Sequence, residues 1–432
     1  MASGLVGAIA YMSIEAALLG GLAFFAQDTF IQRFNVTIPW PVFAFIALAL
    51  IATLNFFDID LSLKVLGVLL GFEVLILLIM DFGVLFQSSH RWTSASLDKL
   101  LGSPTEISAN LSGRSLNVAN AFKDTGINID GNKLGPAIGI FMAFWSWVGF
   151  EAAPNYAEES RDPVRNVPRA TYISVIALGV FYTFTSWMVV TAWGDHAGDA
   201  GGLFGGMFYD VTTEFVGKFF TKAMGFLIIT GSFACGAAFH NAATRYWYAM
   251  GREGLLPRKL GRTHPVHKSA HIASAFQSML ALIVVVVYMV FGTINRVPDQ
   301  SSRDAAVAYA NNAAYLGLYT QLALLATLLI LILQTAVSVA IIVYFQKNKT
   351  DAHPWKTLIA PMIATVMQAY VIYLLISNLT ELAGGDKGFI PLVPWTAIAI
   401  IVIGMGTAAY VRMNKPDVYE NLGRFVNSGT TS

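Results

Sequence analysis

The stretch from Trp145 to Glu151, W-S-W-V-G-F-E, sets two indoles, a hydroxyl, a glycine and a carboxylate inside an otherwise apolar run, with Pro154 three residues further on. Gly149 removes side-chain bulk, Pro154 removes a backbone donor and collides with the preceding turn, and a carboxylate at bilayer depth costs roughly 2.5 to 3.5 kcal/mol on insertion scales. Together they predict a helix that breaks. A break of this kind persists in a bilayer only where the freed backbone groups face protein or a water-filled cavity, which is how secondary transporters build their binding sites. A proline alone is more often a kink than a site, because Gly and Pro are common in membrane helices. Glu151 tips the balance, since an ionisable group inside a membrane helix marks function by default.

Other polar side chains stand in apolar runs. Glu73 is flanked by apolar residues for a turn on either side, with no basic residue one turn away to pair with it, whereas Asp81 lies nearer the outer end of the same run and within reach of the headgroups. Glu15 either lines a cavity or hydrogen-bonds a neighbour. Thr230 and Ser232 offer hydroxyl oxygens to a hard cation, and the competing use, a bond back to the helix backbone, is the commoner one. They form a candidate cation site. His240, near the cytoplasmic mouth of its run, is a satisfied interfacial histidine or, less commonly, a proton relay. These groups lack the spacing of a metal-ligand set or a catalytic dyad, so the chemistry is recognition and ion coupling, with no enzyme and no bound cofactor or metal beyond a coupling proton or sodium ion.

The elements that must position these residues follow from composition. Of 432 residues 56% are hydrophobic and 12% charged, about half the charged share of a soluble domain, so the chain is an all-α integral membrane protein. The net charge of +1 excludes nucleic acid as a partner, and the single cysteine, Cys235, excludes a disulfide within the chain. Runs able to cross about 30 Å of hydrocarbon fall near residues 4–26, 39–56, 62–87, 135–156, 170–193, 219–242, 272–292, 314–345, 355–377 and 390–411. This predicts roughly ten helices, with both termini on one side. The basic segments R-D-P-V-R-N-V-P-R, R-E-G-L-L-P-R-K-L-G-R and Q-K-N-K-T are assigned as cytoplasmic connections. Residues 88–133, rich in Ser, Asn and Gly, read as an exposed outer loop with room for a short helix. Adjacent Gly20 and Gly21 in the first helix, and the small residues from Gly231 to Ala238 in the sixth, suit close helix packing.

The sequences F-W-S-W-V-G-F-E, E-E-S-R-D-P-V-R-N-V-P-R-A and R-Y-W-Y-A-M-G-R-E-G-L-L-P closely resemble those of the amino acid-polyamine-organocation (APC) permeases. The resemblance implies a LeuT-like bundle of two inverted five-helix repeats with two helices appended. It divides one transmembrane permease domain, 1–432, into the remainder of a first repeat (1–87), the outer loop (88–133), a second repeat (134–345) and two appended helices with a cytoplasmic tail (346–432). By the same resemblance Trp145 matches an aromatic that stacks on or caps substrate. Glu151, six residues on, matches an acid of gating or proton coupling, and the backbone around Ser146, Trp147 and Gly149 matches the unwound segment at the substrate's amino end. Two departures stand out. By the resemblance the chain begins at the third helix of the family, and the first two, including a glycine-rich break that receives the substrate carboxylate, are missing; the expectation is either a fragment of a longer gene product or an incomplete, inactive permease. Counted from Ser62, Glu73 falls where many relatives carry a lysine in place of a coupling sodium ion; a carboxylate would hold a proton or a cation instead.

The resemblance therefore implies a multi-pass cell-membrane transporter of amino acids or related amines, working by alternating access and coupled to protons, with sodium coupling or exchange as the second expectation. From another class stands a non-transporting assembly or sensory subunit. Radiolabelled uptake separates the two.

Overall fold

A computed structural model of the chain describes residues 2–57, 59–87, 127–129, 132–134, 136–194, 197, 206–291, 311–348, 353–383, 388–420 and 422. Helices α1 (Ala2–Phe34), α2 (Trp40–Phe56), α3 (Ile59–Phe86) and α4 (Pro136–Ser146) come first. Then follow α5 (Pro163–Trp193), α6 (Gly206–Phe215), α7 (Lys218–Arg252) and α8 (His271–Phe291). After these come α9 (Gln321–Lys347), α10 (Ala360–Ser377) and α11 (Val393–Asn414), followed by a short helix, Pro416–Glu420. Wider π turns, Asn311–Thr320 and Trp355–Ile359, lead into α9 and α10. The one sheet among the described residues is a hairpin in which Ile127–Ile129 pairs antiparallel with Asn132–Leu134. The rest of the expected outer loop, including any short helix, lies outside the described residues.

Eight helices are long and apolar enough to cross a membrane among the described residues. The other two expected spans differ in kind. Helix α2 has 17 residues, and the run at 135–156 holds only the 11 residues of α4, about 16 Å of rise against about 30 Å of hydrocarbon. Two boundaries also move. R-D-P-V-R-N-V-P-R, expected as a connection, is largely the first turns of α5: Asp162 Oδ1 accepts from the Arg165 amide at 3.2 Å and Pro163 takes the first helical position, a standard start in which the lost N–H costs nothing. Helix α7 likewise continues to Arg252.

The residues gather into two compact units built from interleaved stretches. One comprises Met1–Leu66, Ile140–Val167 and Ser232–Ser432. Its hub is α1, which packs against α2, α8, α9, α11 and the π turn at 311–320. Along α1 the small residues Ala8, Ala10, Ala16, Ala17 and Ala23 are fully buried. Gly20, as the paired glycines suggested, lets the backbone of Ala314 and the side chain of Leu318 come within what would be 2.8–2.9 Å of a Cβ. Outer helices instead present large apolar side chains: Ile283 on α8, Val366 on α10 and Ile403 on α11 are each half or more exposed, the pattern of a surface solvated by lipid.

The other unit comprises Gly67–Gly139 and Pro168–Gly231. Its core joins Ile76, Met80 and Val84 of α3, Met188, Val189 and Trp193 of α5, and Val211 and Phe215 of α6. Gln87 Nε2 donates to the Phe215 carbonyl at 2.6 Å and Trp193 Nε1 to that of Met207 at 3.2 Å, tying both ends of α6 to their neighbours.

Candidate functional site

Helix α4 does break where the sequence predicts. Its end tightens through Trp147 N–H to Phe144 O (3.0 Å) and Val148 N–H to Trp145 O (3.1 Å). At Gly149 the backbone turns to φ +120°, a conformation L side chains rarely adopt. The chain resumes as a 3₁₀ segment, Phe150–Glu159, that carries Pro154 in its interior. The break is thus made by glycine's positive φ, and Pro154 maintains the looser winding that follows. Among the described residues the carbonyls of Ser146 and Val148 receive no backbone hydrogen bond.

Glu151 folds back over this break. Its Oε2 accepts from the Gly149 amide at 2.9 Å and its Oε1 from the Tyr11 hydroxyl at 3.0 Å. The carboxylate therefore caps an orphan amide of the broken helix and ties it to α1. Tyr11 is buried and lies against Phe239 and Tyr246, ring centroids 5.7 and 5.5 Å away. One turn above, Trp145 meets Tyr319 edge-on at 6.0 Å, and Tyr319 stacks on Tyr315 at 5.1 Å. The half-buried Trp145 belongs to an aromatic wall with α1 and the π turn, while the Ser146 hydroxyl donates to its own helix at Met142 O (2.9 Å). Trp147 contributes its amide to the closing turn. Trp145, Ser146, Trp147, Gly149 and Glu151 all belong to the first unit.

Glu15 and His240 turn out to be partners. Glu15 Oε1 lies 2.8 Å from His240 Nδ1, His240 Nε2 lies 2.9 Å from Ser274 Oγ, Gln277 Nε2 donates to Glu15 Oε2 at 2.6 Å, and Trp247 Nε1 donates to Gln277 Oε1 at 2.7 Å. Glu15, His240 and Gln277 have no exposed surface, so His240 is satisfied by buried partners. The chain of bonds pins α1, α7 and α8 to one another. Ser274, Gln277 and Trp247 were not singled out from the sequence. A signal was there: His240 and Trp247 lie two turns apart on one face of α7, and Ser274 and Gln277 three apart on α8.

In the second unit Glu73 lies against Gly231, where a Cβ would coincide with its carboxylate; its Oε1 is buried without a hydrogen-bond partner. Thr230, the next residue, donates its hydroxyl to Leu227 O at 3.0 Å, the commoner use of a helical threonine. Ser232 begins the part of α7 that belongs to the first unit. Asp81 departs from expectation. It does not reach the headgroups but is fully buried, accepting from Thr185 Oγ1 at 2.7 Å. Outside the spans, His264 titrates below the ordinary imidazole range, through lost hydration and then the like charges of His267 and His271, whose rings lie 4.8 and 5.0 Å away. No group of three or more metal-binding side chains has the geometry to hold an ion among the described residues.

A profile of the family described as amino acid permease matches residues 1–406. An uncharacterised transporter of Rhizobium meliloti is 28% identical over 159 residues, 35% of this chain and 32% of that protein. The branched-chain amino acid permease BcaP of Bacillus subtilis is 24% identical over 153 residues, 34% of this chain and 32% of its own. The low-affinity putrescine importer PlaP of Escherichia coli is 26% identical over 161 residues, 36% of this chain and 34% of that one. The chain thus spans about a third of the length of these curated relatives.

Proposed function

This chain belongs to the amino acid permease family, and from that premise we propose that it carries amino acids or related amines across a cell membrane by alternating access, driven by protons, with both termini in the cytoplasm. Family membership makes it a multi-pass helical bundle of LeuT type. The observation that supports the mechanism best is the broken helix at Gly149 with Glu151 folded back on it. The freed carbonyls of Ser146 and Val148 favour an ammonium, the group that amino acids and amines share, while the Gly149 amide that opens the second half is already met by Glu151. Trp145 closes one side of this polar midpoint with its aromatic neighbours.

Glu151 supplies the coupling. As a carboxylate it accepts from both the Gly149 amide and the Tyr11 hydroxyl. Protonation removes the charge that strengthens both bonds and, at Oε1, requires the Tyr11 hydroxyl to accept where it had donated. Taking up a proton on one face therefore loosens the break from α1, and losing it on the other restores the tie.

A specific observation favours sodium as the second choice. The unpartnered Glu73 Oε1, one residue across from Thr230 on α7, is a hard oxygen of the kind an alkali cation takes. The experiment is uptake of radiolabelled leucine and putrescine into proteoliposomes by the parent chain, Trp145→Ala and Glu151→Gln. Uptake should fall at least ~10-fold in each variant, as expected when about 1.4 kcal/mol or more of transition-state binding is lost. Equal uptake by all three proteins would end the assignment, and no uptake by any would leave the assembly-subunit alternative standing.

A further inference from the structure

In the first unit a cavity of about 480 Å³ opens between the C-terminal end of α2, the 3₁₀ segment after the break, the last turns of α7 and residues 263–270. Its volume is that of a small-molecule site. Three cations, Arg245, Arg252 and Lys268, line it, and no carboxylate does so among the described residues. Arg245 is held in place: its guanidinium lies 4.0 Å above the Tyr156 ring and Nη1 donates to Asn155 O at 3.4 Å. Arg252 sits 5.5 Å over Tyr248. The excess of basic residues at one membrane face would follow from topology alone. The neutral donors would not. Asn241 and Thr244, each 4% exposed on the cavity side of α7, leave Nδ2 and Oγ1 without a hydrogen-bond partner.

Buried amide and hydroxyl donors beside fixed guanidinium groups ask for an acceptor rich in oxygen and negative charge. A carboxylate offers two oxygens and is satisfied by one arginine fork. Three cations and two neutral donors around one hollow match a phosphate, with its further oxygens and charge. We propose that this cavity binds a phosphate group, carried by an anionic phospholipid headgroup or by a soluble phosphate compound. Basic pockets between membrane helices bind anionic headgroups by the same chemistry. The cavity shares the 3₁₀ segment with the break, and phosphate binding in it requires no particular substrate or coupling ion.

The test takes the full chain in detergent and measures retention of dioleoyl phosphatidylglycerol against dioleoyl phosphatidylcholine at equal concentration by native mass spectrometry, with inorganic phosphate titrated calorimetrically in a second arm. Retention of the anionic lipid should exceed that of the zwitterionic one by about fivefold, the contribution expected of one basic group, and should fall by about as much in Lys268→Gln. Asn241→Asp, which swaps a donor for a negative charge at constant shape, should abolish the preference. Lys268 is exposed, so its variant keeps the fold even if Asn241→Asp does not. Binding of inorganic phosphate that competes with the lipid identifies a soluble phosphate as sufficient; lipid preference without phosphate binding identifies the headgroup. Equal retention of the two lipids with no phosphate binding would overturn the proposal, as would a lipid preference unchanged by Lys268→Gln.

Discussion

Glu15 and Glu151 are both carboxylates within membrane helices, yet the fold uses them differently. Glu15 is sealed between His240 and Gln277 with no exposed surface, whereas Glu151 holds the edge of a break. Residue type revealed that each of them mattered. It could not reveal partners, because Glu15 and His240 are 225 positions apart and only the packing of α1 on α7 brings them together. A helix carries its own backbone hydrogen bonds, so nothing local in the sequence records where a polar side chain ends up. The expectation that Asp81 lies among headgroups failed for the same reason, as its partner Thr185 lies 104 positions away. The sealed network predicts a loss of stability when it is opened. Glu15→Leu strips acceptors from His240 and Gln277, and each buried group left unsatisfied costs about 1–3 kcal/mol. The apparent Tm in detergent should drop well below that of Glu15→Gln, which keeps one acceptor. Should Glu15→Leu melt like the parent and fail only in transport, Glu15 belongs to the transport machinery instead.

At the scale of elements, apolar run length was a sufficient guide to the long spans, and glycine, proline and an acid in succession located the break. Helix starts were read less well. Asp162 followed by Pro163 marks the beginning of α5, but its basic first turns look like a connecting loop when charge alone is counted. The ten residues of α6 are too few and too mixed to register as a span. Glycines show how far packing exceeds what sequence conveys, since Gly20 and Gly67 both lie within apolar helices. A Cβ on Gly20 would press on the Ala314 carbonyl and Leu318, while one on Gly67 would meet nothing within 4 Å. Overpacking of that kind costs about 1–3 kcal/mol, and an unobstructed Gly to Ala exchange in a helix gains up to about 1 kcal/mol. Gly20→Ala should therefore lower the apparent Tm and Gly67→Ala leave it equal or higher, a comparison that one thermal-stability assay of both variants makes directly.

At the scale of the whole molecule, composition established a membrane protein and three short sequences established its family, while the interleaving of chain segments in the two compact units was invisible, since it follows from contacts between stretches far apart in sequence. In the proposed mechanism, what drives transport is a property of the assembled protein, because a gradient acts on whichever ionisable group is exposed to each side in turn. Two carboxylates compete for that part. Glu151 already has two donors whose arrangement depends on its protonation, whereas Glu73 has an unpartnered oxygen suited to a cation. Proton coupling through Glu151 predicts that a protonophore collapses uptake into proteoliposomes, that replacing sodium with choline leaves uptake unchanged, and that Glu151→Gln loses concentrative uptake while still exchanging substrate across the membrane. Under this scheme Glu73→Gln retains its dependence on the proton gradient. If removing sodium stops uptake, the protonophore does not, and Glu73→Gln alone abolishes accumulation, the coupling carboxylate is Glu73 and the cation is sodium.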